Sequence, residues 1–261
     1  MSDNVLFTVT DGVGTITLNR PDAMNSLDKA TKEALRDAAI AAAADSAVRV
    51  IVLTGTGRAF CVGQDLKEHA AALRAGHGLE NTVEQHYNPL LRALVGAPKP
   101  VIASINGVAA GAGAALAFAA DLRIASEKAA FNLAFANIGL TADSGASWTL
   151  PRLVGQAKAL EMLMLPETIQ IAEARTLGLV HRVVPAEELD AVVGELAARM
   201  AAGPTAAYAA IKQAVAFGQT HSLDETLAVE ATLQTRCAET ADHKNAVESF
   251  LAKEKPTFVG H

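Results

Sequence analysis

Apolar and polar residues alternate over 5–9 and again over 13–18, with Asp11-Gly12 between the two runs. Alternation with period two buries one face of a strand, and an Asp-Gly joint between two such runs predicts a hairpin. From Ser26 to about Ala44 the period changes: Leu27, Ala34, Leu35, Ala38 and Ala42 recur at helical spacing, and Ser26 is placed to cap the first turn. "VRVIVLTG", over 48–55, is a nearly continuous β-branched run of the kind that is buried on both faces. A glycine-punctuated loop, "GRAFCVGQDLKEH", follows it. Residues 70–86, rich in Ala, Gly, His and Glu, read as a mobile helical or irregular excursion.

Beyond it the pattern predicts a helix near 87–96, a buried strand over 100–105, a helix from Gly111 and a strand over 122–125. Further short elements run to "LVHRVVP" at 179–185. From Ala186 only helical periodicity remains, over about 187–202, 204–217, 223–238 and 242–253. The expected architecture is an α/β or α+β core over 1–200 with a helical region over 201–261 used for packing or assembly.

With 261 residues, 51% of them hydrophobic, the chain has the material for one large core. A net charge of -6 and a pI near 5.6 leave no broad cationic surface for nucleic acid or anionic lipid. The alanine-rich stretch 109–120 is closed by Asp121 and falls short of the roughly 18 apolar residues of a spanning helix, so no membrane insertion is expected. The N-terminal text carries Asp3 and Asp11 and does not read as a leader. Cys61 sits in an apolar run and neither it nor Cys237 belongs to a spaced metal set, so reduced thiols and a cytoplasmic setting are expected. His69, His77 and His86 lack metal-like grouping and read as solvated loop residues, and Lys67 and Lys99 as surface lysines. No metal and no bound cofactor are expected.

Candidate chemistry begins with "INGVAAGAGAALAFAAD" at 105–121. Gly111 and Gly113 are followed by Leu116 where a dinucleotide fingerprint needs its third glycine, so a pyrophosphate cradle is not indicated. The stretches 53–65 and 105–115 share one layout, in which a buried strand ends, glycines follow and a helix starts. Each can present unpaired N–H groups to a developing negative charge. The same glycines also serve plain tight turns and close helix packing.

"RPDAMNSLD", "VIVLTGTGRAFCVGQDL", "KPVIASINGVAAGAGAALAFAADLRIA" and "DSGASWTLPRLVG", in this order, closely resemble the crotonase superfamily, also called the enoyl-CoA hydratase/isomerase family. The resemblance covers essentially the whole chain, including "ARTLGLVHRVVP" and the helical tail. It implies a spiral of β-β-α units, a C-terminal helical region used in assembly as a homotrimer or homohexamer, and an acyl-CoA thioester as substrate. By position it implies that the thioester oxygen meets the N–H groups of Gln64 and Ala112. Met24, Val62, Asp65 and Leu66 match the lining of the CoA pocket, and Phe250 and Lys253 match a tail segment that reaches the nucleotide end of CoA.

Family hydratases use two glutamates, and this chain has Ala115 and Phe135 at those positions. Asp143, in "GLTADSGASW", is then the candidate acid/base, with a helix N-cap as its structural alternative. The "DSGxSW…LPRLVG" form is similar to the branch of ring-epoxide-to-oxepin and 3-enoyl-CoA to 2-enoyl-CoA isomerases, apart from Ala142 and Ala146. One carboxylate suffices for such a shift, provided an oxyanion hole holds the dienolate between its two proton transfers. Phe135, Leu140 and Trp148 are expected to desolvate Asp143 in part. The alternatives are a hydratase with non-standard acid/base residues, an aryl-CoA dehalogenase using Asp143 as nucleophile, although Phe135 stands at that branch's tryptophan position and its histidine position falls near Asn88, two residues from His86, and a non-catalytic CoA-binding oligomer.

Overall fold

The computed structural model describes residues 3–78 and 81–261; residues 79 and 80 of the expected excursion lie outside it. In chain order the elements of the first half are β1 (Val5–Thr10), β2 (Val13–Leu18), α1 (Lys29–Ala44), β3 (Val50–Gly55), β4 (Ala59–Cys61), α2 (Leu66–Arg74), α3 (Asn88–Val95), β5 (Val101–Ile105), β6 (Val108–Ala110) and α4 (Ala112–Ala119). There follow β7 (Leu122–Ser126), β8 (Ala130–Asn132), α5 (Ala146–Val154), α6 (Gln156–Met164), β9 (Ile169–Gln170), α7 (Ile171–Thr176) and β10 (Arg182–Val184). Helices α8 (Leu189–Ala201), α9 (Thr205–Gly218), α10 (Leu223–Ala238) and α11 (Ala241–Ala252) complete the chain.

The strands form two sheets. The larger has the order β1-β2-β3-β5-β7-β10, antiparallel only in the β1–β2 hairpin, and the smaller has the order β4-β6-β8-β9. Successive strands alternate between them: β3 then β4, β5 then β6, β7 then β8. Each pair is followed by helix, so the chain winds as a β-β-α spiral and each turn leaves the end of a small-sheet strand beside the start of a helix.

Strand β3 is buried on both sides, as its run of β-branched residues predicts. Ile51 and Leu53 face the main core with Leu35, Phe60 and Leu116, while Val50 and Val52 face a second cluster. That second cluster is completed by Leu189, Val193, Ala197 and Ala201, one stripe of α8 at four-residue spacing. At roughly 1.5–3 kcal/mol for each large apolar side chain, these clusters are the main stabilising term. By contrast α9, α10 and α11 leave Ile211, Val215, Leu227, Phe250 and Leu251 exposed. None of the described helices is long and apolar enough to cross a membrane.

Several boundaries differ from expectation. Helix α1 is capped by Asp28, whose carboxylate accepts from Thr31 N, and not by Ser26, whose hydroxyl donates to Asp65. Strand β3 starts at Val50 because Val48 turns inward over Gly14, where even a Cβ would lie 2.8 Å from Val48 Cγ1. The 70–86 excursion is more ordered than its composition suggests: α2 covers its first residues and a π-helical turn, Val83–Tyr87, its last. His86 is buried there against Thr82, with Nδ1 at 2.9 Å from the hydroxyl, and is not a solvated loop residue.

Lys99 is likewise no surface lysine. It is buried, and Nζ donates to Ala42 O at 3.0 Å and Asp45 O at 2.7 Å, tying down the carbonyls that end α1. Replacing it with methionine removes both bonds and leaves Asp45 O only Val48 N, so Lys99→Met is expected to lower unfolding free energy by about 1–3 kcal/mol. An unchanged denaturant midpoint would restore the surface reading.

Candidate active site

Two loops meet where small-sheet strands end. After β4 the chain runs Val62-Gly63-Gln64-Asp65 into α2, and after β6 it runs through Gly111 into α4. Gly111 has φ 50° and ψ −126°, a conformation essentially closed to residues with a Cβ. Gly113 lies so tightly under β4 that a Cβ on it would fall 2.0 Å from the Cys61 carbonyl oxygen. A Cβ on Gly63 would lie 2.8 Å from Ala110 O and 3.1 Å from Ala112 N. The glycines therefore allow the two loops to come into backbone contact, as the packing reading of them expects.

The peptide of Gln64 is fixed from both sides, since Leu27 N donates to Gly63 O at 2.8 Å and Asp65 N to Leu27 O at 3.1 Å. Gly111 N donates to Asn132 O, and Ala115 N to Gly111 O. The N–H groups of Gln64 and Ala112 themselves find no acceptor among the described residues. At the start of α4 this is the usual state of a first-turn donor, and the helix dipole adds partial positive charge there.

Asp143 precedes α5. The residue at the N-cap position is Gly145, no side chain caps this helix, and Asp143 Oδ1 instead accepts from Ser144 Oγ at 2.8 Å. The structural alternative for Asp143 is thereby removed, and its second oxygen has no partner among the described residues. Burial pushes its carboxyl above the usual range, against the hydrogen bond from Ser144 and the charge of Lys32, which pull it down. Phe135 is buried, Leu140 half-buried and Trp148 42% exposed, so Trp148 shields the region less than expected. Gly145 sits over Leu91 of α3, which seats the Asp143 loop next to the segment that carries Tyr87.

Two residues at this site escape the sequence reading. Tyr87 OH donates to Gln64 Oε1 at 2.7 Å, and Lys32 Nζ donates to the same oxygen at 3.2 Å. Burial, and next the Asp143 carboxylate, push the phenol of Tyr87 up, so it stays a donor. The signal for Lys32 was present: it lies three residues before Leu35 and seven before Ala39, on the buried stripe of α1.

The remaining candidates are spread out. Met24, in the left-handed region, and Val62 are half-buried and joined by Val62 N to Met24 O, while Leu66 is exposed. The Asp65 carboxylate already caps α2 at Lys67 N and Glu68 N and accepts from Ser26 and Arg20. Burial works to raise its pKa, but these donors outweigh it and hold the group below the ordinary range. Ala115 is packed inside the core. Cys61 is a buried thiol pushed up to about 12 by burial. Phe250, 80% exposed, and Lys253 sit at the end of α11.

A family model described as enoyl-CoA hydratase/isomerase matches residues 8–261. A Rhodobacter capsulatus protein named "Probable enoyl-CoA hydratase" is 44% identical over 256 residues, covering 98% of each chain. The 1,2-epoxyphenylacetyl-CoA isomerase of Escherichia coli is 39% identical over 261 residues, covering all of both. A solved enoyl-CoA hydratase/isomerase-family structure from Mycobacterium abscessus superposes with a TM-score of 0.95 at 46% identity, covering 98% of this chain and 100% of the other. Two sheets wound as a β-β-α spiral, paired glycine loops with free amides, and these full-length matches together make the chain a member of the enoyl-CoA hydratase/isomerase family, with the crotonase fold.

Proposed function

We propose that this protein is an enoyl-CoA isomerase that moves a double bond from the 3 to the 2 position of an acyl-CoA thioester, or opens a ring epoxide to an oxepin, with Asp143 as its one acid/base. The observation that carries this reading is the carboxylate itself: partly buried, raised in pKa, relieved of any capping role and with one oxygen free. Ala115 and Phe135 supply no carboxylate where family hydratases have theirs. The E. coli relative named as an isomerase supports the same direction.

In the 3-to-2 shift, Asp143 takes a proton from the carbon between carbonyl and double bond. The electron pair moves onto the thioester oxygen as a dienolate, which the Gln64 and Ala112 N–H groups hold. The same proton then returns to the far carbon, two positions along, and the pair flows back to form the conjugated double bond. Nothing is oxidised and no water is consumed. Each amide donor of such a hole contributes about 3–4 kcal/mol to the transition state, and the raised pKa suits a group that is base in one step and acid in the next.

Met24, Val62, Asp65, Leu66 and Phe135 would line the CoA and acyl path, Asp65 through its backbone since its carboxylate is occupied. The exposed apolar faces of α9, α10 and α11 support self-association of the region 201–261, which would carry Phe250 and Lys253 toward the nucleotide end of CoA.

Asp143→Asn is expected to abolish conversion of 3-enoyl-CoA to 2-enoyl-CoA, by roughly 10²–10⁴-fold, when matched substrate panels are offered to both proteins; water addition at undiminished rate would refute the reading. The same variant should be more stable than wild type at neutral pH. The folded-state pKa of Asp143 lies above the unfolded value near 3.8, so ionisation favours the unfolded chain as pH rises and the wild type loses stability there. Thermal melts should show the gap closing below about pH 3.8, where both states are protonated; a variant less stable at pH 7 would count against a desolvated carboxylate. Light scattering is expected to return three or six times the 27.0 kDa chain mass, and a single-chain mass would exclude the assembly.

A further inference from the structure

Behind the Gln64 loop lies a polar cluster that the proton transfer does not use. Lys32 is only 4% exposed; its Nζ donates to the neutral oxygens Gln64 Oε1 (3.2 Å) and Thr82 Oγ1 (3.0 Å), and its ion pair, to Glu68 Oε1, is longer at 3.7 Å. Tyr87, 1% exposed, donates to the same Gln64 oxygen, and the ammonium stands 6.0 Å from the centre of its ring. Burying a cation with this partial pairing costs free energy, and hydrophobic residues of similar size often serve stability as well or better. Fold stability alone is thus a weak reason for a lysine here.

We infer that Lys32, with Tyr87, is a positioning residue of the oxyanion hole: the two anchor the Gln64 side chain so that its peptide N–H stays aimed, and the ammonium sets a fixed positive charge behind the place where enolate charge develops. This rests on the reading that Gln64 N–H holds the thioester oxygen. A cation close to a forming anion in a water-poor site acts through a low effective dielectric and needs no reorganisation as the charge moves. The same charge reaches Asp143 and favours its ionised form, opposing the burial that raises it.

The groups facing Lys32 come from every element around it. Asp28 caps its own helix, Asp65 and Glu68 lie at the start of α2, and His86 and Tyr87 belong to the π-helical turn; Asp143 approaches from the loop before α5. Burial lowers the lysine, and Glu68, Asp28 and Asp65 counter that fall. His86, paired with Thr82 and 3.8 Å from Glu33, is lowered by burial and then by Lys32, so it adds no second cation near neutrality.

The test compares Lys32→Met, Lys32→Arg and Tyr87→Phe with wild type in steady-state isomerisation across pH. Lys32→Met is expected to lower kcat at least about tenfold with little change in KM. Its acid limb should move to higher pH, because Asp143 without the cation holds its proton longer, and Lys32→Arg should recover most of the rate. An unchanged kcat, or a loss with an unmoved acid limb and no recovery in Lys32→Arg, overturns the inference. If Lys32→Met does not fold, Tyr87→Phe decides: a lower kcat at constant KM supports the anchoring of Gln64, and wild-type kcat refutes it. A wild type that isomerises no substrate fails the reaction assignment instead, and a wild type that isomerises while the Lys32 variants match it fails this inference alone.

Discussion

The contact of Gly113 under the Cys61 carbonyl, with Gly63 against Ala110 and Ala112, sets the distance between two helix starts that come from different turns of the spiral. A side chain at either Gly63 or Gly113 would clash with this backbone and force the loops to shift. The fold supplies the rest of the geometry: the small sheet ends both β4 and β6 at the same edge, and the large sheet fixes their spacing through β3 and β5. Two main-chain donors on such supports would, in the proposed reaction, lose little freedom when an anion forms between them.

Asp143 works against this background. Its carboxylate sits where burial disfavours charge, and only the hydrogen bond from Ser144 and the charge of Lys32 favour it. A fold selected for stability alone would not keep an acid in that position, which fits the proton-transfer role proposed for Asp143. Asp65, far earlier in the chain, shows the opposite arrangement: four donors satisfy its carboxylate and pull its pKa down, and it caps α2 and ties Arg20 and Ser26 together. Burial on one side and hydrogen bonds on the other thus push the two aspartates in opposite directions.

Much of this was legible in the sequence. The buried strand over 50–55 declares itself by its β-branched residues, and the glycines of "GAGA" and "CVGQDL" mark the two loops because close backbone approach has few other solutions. Asp143 was legible only beside the resemblance, since an aspartate before Ser-Gly reads equally well as a cap. What local pattern could not give was pairing at a distance. The small sheet is built of strands of two or three residues, too short for any periodicity, and Lys99 and His86 owe their burial to α1 carbonyls and to Thr82, partners that composition does not name. Lys32 lay on an apolar helical stripe, but its purpose depends on Gln64, thirty-two residues later.

The claim on which the account turns is that two peptide N–H groups, from Gln64 and Ala112, polarise a thioester carbonyl. The infrared stretch of that carbonyl, isolated by carbon-13 labelling of a bound non-reacting acyl-CoA, measures this directly. The account predicts a clear shift to lower frequency relative to the same thioester in water, and a frequency equal to or above that in water would contradict it.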